Sequence, residues 1–229
     1  MDALNPTHSF DLAVTPLREV NAALHAAADG DVVIANPLGA HSVAVGLNAP
    51  LKVTIDGHVG YYAAGMNQQA EVVIEGNAGT GVAENMMSGT VVVKGNASQS
   101  AGATAHGGLL VIEGDAAARC GISMKGVDIV VGGDVGHSSA FMAQAGRLVI
   151  RGDAGHGLGD SVYETRMYVR GEVASLGADC IVKPMREEHV AELAGLLKAA
   201  GFDDDPADYR RYGSARELYH FHSDNSSAY

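Results

Sequence analysis

The sequence predicts an all-β protein: a right-handed parallel β-helix of about seven 19-residue turns, with an N-terminal helix and a C-terminal capping helix plus extended tail. Three observations predict it. Gly57, Gly76, Gly95, Gly114, Gly133, Gly152 and Gly171 recur at a constant spacing of nineteen. Each closes an apolar triplet and one variable residue, in the strings VTIDG, VVIEG, VVVKG, LVIEG, IVVGG, LVIRG and MYVRG. Two residues beyond each glycine stands a small apolar residue: Val59, Ala78, Ala97, Ala116, Val135, Ala154 and Val173. Self-similarity at a short fixed period is the signature of a stacked repeat, and a unit this short cannot hold a helical hairpin.

The triplets are mostly β-branched, so each reads as a short strand. The glycine after it reads as a structural corner that needs φ > 0 or close backbone approach. One strand per turn stacks successive turns about 4.8 Å apart, giving a prism roughly 30 Å long. Outer triplet residues such as Val72, Ile74, Val91 and Val93 then build interior aliphatic ladders. The central residues Val73, Val92, Val111, Val130 and Val149 point the other way yet are also apolar. That second face is expected to be covered by a neighbouring element or a partner subunit.

Both ends of such a coil need caps, because they expose unpaired sheet edges. Residues 1–30 form the N-terminal segment and helix. Thr15 is the expected N-cap and Pro16 the first helical residue, with Leu17, Val20 and Leu24 at helical spacing and Gly30 as the stop. Residues 31–185 form the coil, whose opening turn (Val32–Ile34 and Val43–Val45) is irregular and which ends at Pro184. Residues 186–229 form a capping helix and an aromatic docking tail. The helix has Val190, Leu193 and Leu197 on one face, Lys198 in its last turn and Gly201 at the C-cap. The tail carries Tyr209, Arg210, Arg211, Tyr212, Arg216, Tyr219, Phe221 and Tyr229, residue types enriched in interface cores. It folds back on the coil or docks on another subunit.

Composition fits this picture. Among 229 residues there are 30 Gly, 4 Phe and no Trp, so the core is built from Val, Ile, Leu and Ala. A net charge of −12 argues against nucleic-acid backbones as partners. The first residues lack a basic and apolar signal pattern, and no apolar run is long enough to cross a membrane, so a cytoplasmic protein without membrane association is expected.

Candidate chemistry is sparse, and no catalytic, cofactor-binding or metal site is expected. His137 and His156 stack in one column, but Tyr61, Thr80, Gln99, Ala118 and Ser175 complete it and form no ligand set. His220 and His222 share one side of the tail with no acidic or thiol partner fixed nearby. The column one past the corner reads His58, Asn77, Asn96, Asp115, Asp134, Asp153, Glu172. Stacked carboxylates could bind calcium or serve as acid and base, but Asn and Asp beside a corner glycine more simply satisfy turn backbone. Strings such as GNAGTG (76–81) lack the following helix that a phosphate loop requires. Cys120 and Cys180 lie three turns apart, beyond bridging distance, and are expected to be free thiols.

The corners Gly57-His58-Val59-Gly60, Gly76-Asn77-Ala78-Gly79, Gly133-Asp134-Val135-Gly136 and Gly152-Asp153-Ala154-Gly155 resemble the GXGXG domain. That domain is the C-terminal β-helix of the glutamate synthase large subunit, and also occurs in one of the subunits of formylmethanofuran dehydrogenase. The tail RRYGSARELYHFHSDNSSAY is similar to the stand-alone GXGXG chains of glutamate-synthase-like operons, among them one belonging to N-methyl-L-glutamate synthase. The resemblance covers nearly the whole chain. It implies a non-catalytic scaffold whose partners are a glutaminase-like chain of the Ntn amidotransferase type and an FMN-binding, glutamate-synthase-like chain with an iron–sulfur cluster. It also implies a role in walling the ammonia path between them. No functional side chains carry over, because the motif glycines are architectural. Methylamine and ammonia both remain open as the amine. A carbohydrate-active coil would need carboxylates converging in a groove with aromatic platforms.

Overall fold

The computed structural model describes residues 8–217. These contain eleven strands in one sheet, two α-helices and a short 3-10 turn, Pro206–Asp208. The coil is a parallel solenoid of about seven turns with one strand per turn. Its strands are β2 (Gly30–Ala35), β3 (Leu51–Asp56), β4 (Glu71–Ile74), β5 (Thr90–Val93), β6 (Leu109–Ile112), β7 (Lys125–Val131), β8 (Ala145–Ile150) and β9 (Arg166–Val169). Register follows the sequence period: Val53 pairs with Val72, Val72 with Val91, Val91 with Leu110, and Ile129 with Leu148. Val32 pairs with Val53, a separation longer than the period, so the irregularity of the opening turn lies in its connection and not in its strand. A second ladder of single bridges joins Val59, Ala78, Ala97, Ala116, Val135, Ala154 and Val173, the small residues two past each corner.

The interior ladders are where the triplets place them. Val72, Ile74, Val91 and Val93 are wholly buried in one continuous core with Ile55, Ile112, Ile129 and Ile150. The remaining side of each turn has no strand. Alternate residues there take positive φ, for example Tyr62 (61°), Ala64 (52°) and Met66 (56°). Their N–H groups donate alternately to the next turn and the previous one: Tyr62 to Thr80, Ala64 to Val43 and Met66 to Glu84. Inter-turn hydrogen bonds thus hold a left-handed backbone that costs on the order of 1 kcal/mol per non-glycine residue.

The N-terminal cap is a strand and a helix. β1 (His8–Asp11), which the sequence did not reveal, pairs parallel with β2. α1 (Leu17–Ala26) then buries Val20 and Leu24 over the end of the core. It starts one residue later than expected, because Pro16 has ψ 134° and is itself the N-cap. It also ends at Ala26, and Gly30 (φ 124°) opens β2 instead of stopping the helix. Polar side chains of α1 clasp the first turn: Asn21 donates to Ser42 O and accepts from Ala44 N–H, and His25 Nε2 lies 2.7 Å from Val45 O.

At the other end, β10 (Cys180–Lys183) completes the last turn, and α2 (Glu187–Ala199) runs back over the sheet. β11 (Arg210–Ser214) then inserts between β9 and β10, antiparallel to both. The helix ends as expected, with Lys198 in its last turn and Gly201 (φ 82°) just beyond the cap. Its buried face is His189, Leu193, Leu196 and Leu197, whereas Val190 is exposed. The i, i+4, i+7, i+8 spacing selects His189, and the expectation for Val190 is corrected.

Candidate functional site

Three features of the coil bear on function: the column beside the corner glycines, the outer sheet face, and a basic cleft at the C-terminal end. In the column, each side chain accepts from the backbone N–H of its counterpart one turn on. Asn96 N–H donates to Asn77 Oδ1, Asp115 to Asn96, and Asp134 to Asp115, all at 2.8 Å. Asp153 donates to Asp134 at 2.7 Å and Glu172 to Asp153 at 2.8 Å. His58 Nδ1 starts the series by accepting from Asn77 N–H. One oxygen of each residue is therefore committed to turn backbone, as the structural alternative for this column expects. Among the described residues no group of three or more His, Cys, Asp or Glu could hold a metal ion.

The same column explains the corners. Gly57 has φ 140°, but Gly133 is not in the left-handed region. A Cβ at Gly133 would overlap Asp115 Oδ1, and one at Gly76 would sit 2.6 Å from His58 Nδ1. Close approach, here of a side-chain acceptor as well as backbone, is the requirement met at these positions.

The outer face divides in two. Val130, Val149 and Tyr168 are buried beneath Leu193, Leu196 and Leu197 of α2 and Tyr209. Val33, Thr54, Val73 and Val92, in the N-terminal half, stay half-buried. Two carboxylates lock the cover down. Glu192 on α2 takes Arg147 at 3.2 Å and Arg166 at 3.3 Å, and accepts from Tyr168 Oη–H at 2.6 Å. Arg147 also pairs with Asp128, the main cause that raises its pKa. Asp204 holds Arg151, takes Arg170 at 2.8 Å and accepts from Tyr209 Oη–H at 2.8 Å. The Arg151 bond, first among these, holds the Asp204 carboxyl down at about 2. Arg151 also lies 4.1 Å over the Phe202 ring. Sequence reasoning missed both hubs, although a signal existed: Arg147 and Arg166, like Arg151 and Arg170, are one period apart.

The tail candidates separate. Tyr209 and Tyr212 are buried in this chain's own core, so residues 209–214 fold back on the coil. Arg210 is exposed, Arg211 is half-buried, and Arg216 is exposed with Glu164 2.8 Å away. Tyr219, Phe221 and Tyr229, with His220 and His222, lie outside the described residues. His137 and His156 are exposed, and His156 Nδ1 is 3.3 Å from Ser175 Oγ. Cys120 and Cys180 are buried free thiols, and burial pushes both up to about 12.

Between β9, β10, β11 and the start of α2 lies a cleft of about 660 Å³. Arg166, Lys183, Arg186, Arg211 and Arg216 line it, against one carboxylate, Glu164. No motif announces this cluster, because it assembles from four separate elements.

Protein GlxC of Rhizobium meliloti (strain 1021) is 59% identical to this chain over 225 residues, spanning 96% of this chain and 99% of its own. No family model matches the chain, and no solved structure matches it.

Proposed function

The chain belongs to the family of Protein GlxC, and from this we propose that it is a non-catalytic structural subunit of a glutamate-synthase-like assembly. The observation that carries this reading is the half-open outer face. The coil covers one half of an apolar sheet with its own helix and leaves Val33, Thr54, Val73 and Val92 only half-buried. Such a face fits a second chain. The GXGXG-like corners support the same reading, since they serve backbone spacing and use the polar column for turn hydrogen bonds. The proposed partners are a glutaminase-like chain and a chain carrying FMN and an iron–sulfur cluster, with the coil walling the ammonia path. Arg210, Arg216 and the tail beyond 217 are the proposed docking residues outside the sheet face.

The finer proposal is N-methyl-L-glutamate synthase: methylamine and L-glutamate give N-methyl-L-glutamate and ammonia. The test is native purification of the tagged chain from its host, with mass spectrometry and an absorbance scan of what co-elutes. A glutaminase-like chain together with a flavin-bearing yellow chain is the expected result. A lone, colourless monomer overturns the scaffold reading. If the assembly is obtained, methylamine-dependent formation of N-methyl-L-glutamate supports the finer proposal. Glutamate formation from ammonia or glutamine alone replaces it with the ammonia-using variant.

A further inference from the structure

We propose that the cleft at the C-terminal end of the coil binds a small ligand through an oxyanion group, a carboxylate or a phosphate. The chain has 15 Lys and Arg against 27 Asp and Glu, yet five of those 15 cations converge on this one cleft with a single acid. Such concentration opposes the average field of the protein, and mutual repulsion makes it costly without a counter-charge. Much of it is uncompensated. Among the described residues neither Lys183 nor Arg211 forms an ion pair, and Arg211 Nε–H spends itself on Pro184 O at 3.1 Å. Arg186 has only a loose, exposed contact with Glu188 at 3.7 Å. Arg166 shares Glu192 with Arg147. Burial, with Arg166 and Arg186 adding repulsion, lowers the pKa of Arg211 despite nearby Tyr168 and Glu188.

A second observation lies in the same wall. Thr165 is 2% exposed, and its Oγ1 is buried with no hydrogen-bond partner among the described residues. A buried hydroxyl left without a partner calls for a group that completes it, and an oxyanion or its bridging water would do so. His189 Nδ1 accepts from Arg186 N–H at 3.2 Å, which leaves Nε2 as the protonated nitrogen of the neutral ring. The cleft therefore offers guanidinium forks, an ammonium and neutral donors, the set that recognises carboxylate and phosphate. Its volume suits a metabolite-sized ligand.

The test is isothermal titration calorimetry of the full chain with two probes, inorganic phosphate and L-glutamate, against sodium chloride at matched ionic strength. Saturable one-to-one binding of at least one probe is expected, with a thermal midpoint raised by about 3–6 °C at ten times Kd. Phosphate binding alone assigns a phosphorylated ligand, and glutamate binding alone assigns a carboxylate ligand. Arg211→Gln and, separately, Lys183→Gln should each weaken binding about tenfold. Lys183→Gln changes a side chain with no ion pair to lose, so it stays informative if Arg211→Gln fails to fold. Neither probe binding beyond chloride, or binding that Lys183→Gln leaves unchanged, overturns the proposal.

Discussion

Asp115 accepts from Asp134 N–H and fills the space where a Cβ of Gly133 would stand, so one oxygen both bonds a turn and forbids a side chain. Gly133→Ala should therefore cost about 2–4 kcal/mol, as overpacking against a hydrogen-bonded acceptor does, and denaturant unfolding measures it. The double variant Gly133→Ala/Asp115→Ala should cost less than the two single changes added together, because it removes the overlap. Asp115→Asn keeps the acceptor, as Asn77 and Asn96 do in earlier turns, and should change stability by under about 0.5 kcal/mol. If Asp115→Asn is as damaging as Asp115→Ala, the charge matters and the backbone role of this column is wrong. The buried thiols give a further check. With Cys120 pushed up to about 12, iodoacetamide at pH 8 should leave it unmodified in the native chain and alkylate it in denaturant.

At the scale of elements, α2 is held at both ends of the strands it crosses. Glu192 meets the arginines at the start of β8 and β9, and Asp204 meets those just past their ends. Asp204 ionises more readily folded than unfolded, about 2 against 3.8. Its stabilisation is therefore fully present above about pH 4 and is lost as pH falls through 2, a change of about 2 kcal/mol. Acid titration of unfolding should show this step in the native chain and lose it in Asp204→Asn. Leu193→Ala, beneath the same helix, should cost about 2–4 kcal/mol by opening a cavity over Val130 and Val149. The sequence made the coil, its register and the capping helix legible, because an unbroken period imposes one geometry on every column. It did not show which half of the outer face the helix covers, since Val73 and Val130 are the same residue type in the same column. Nor did it show β11, whose placement depends on an antiparallel insertion between β9 and β10 that no local pattern encodes. The basic cleft was hidden for the same reason: Arg166, Lys183 and Arg211 meet only once that insertion is made.

For the molecule as a whole, the open half of the sheet is where assembly is expected to act. Val73→Lys should cost the isolated chain less than about 1 kcal/mol, since the residue is half-buried, yet should abolish co-elution with partner chains. Retained co-elution would move the interface elsewhere, to Arg210, Arg216 or the tail. The regular repeat has a consequence for size. Every turn from β3 to β9 keeps the same register, so the distance between the two caps is a count, set in increments of about 4.8 Å. Excising a whole repeat, such as residues 77–95, would shorten the spacing by one increment while leaving each surviving column aligned. Excising one residue fewer would send every later ladder to the wrong side of the chain. A body built this way is a ruler, and what it gauges is the separation between whatever grips its two ends.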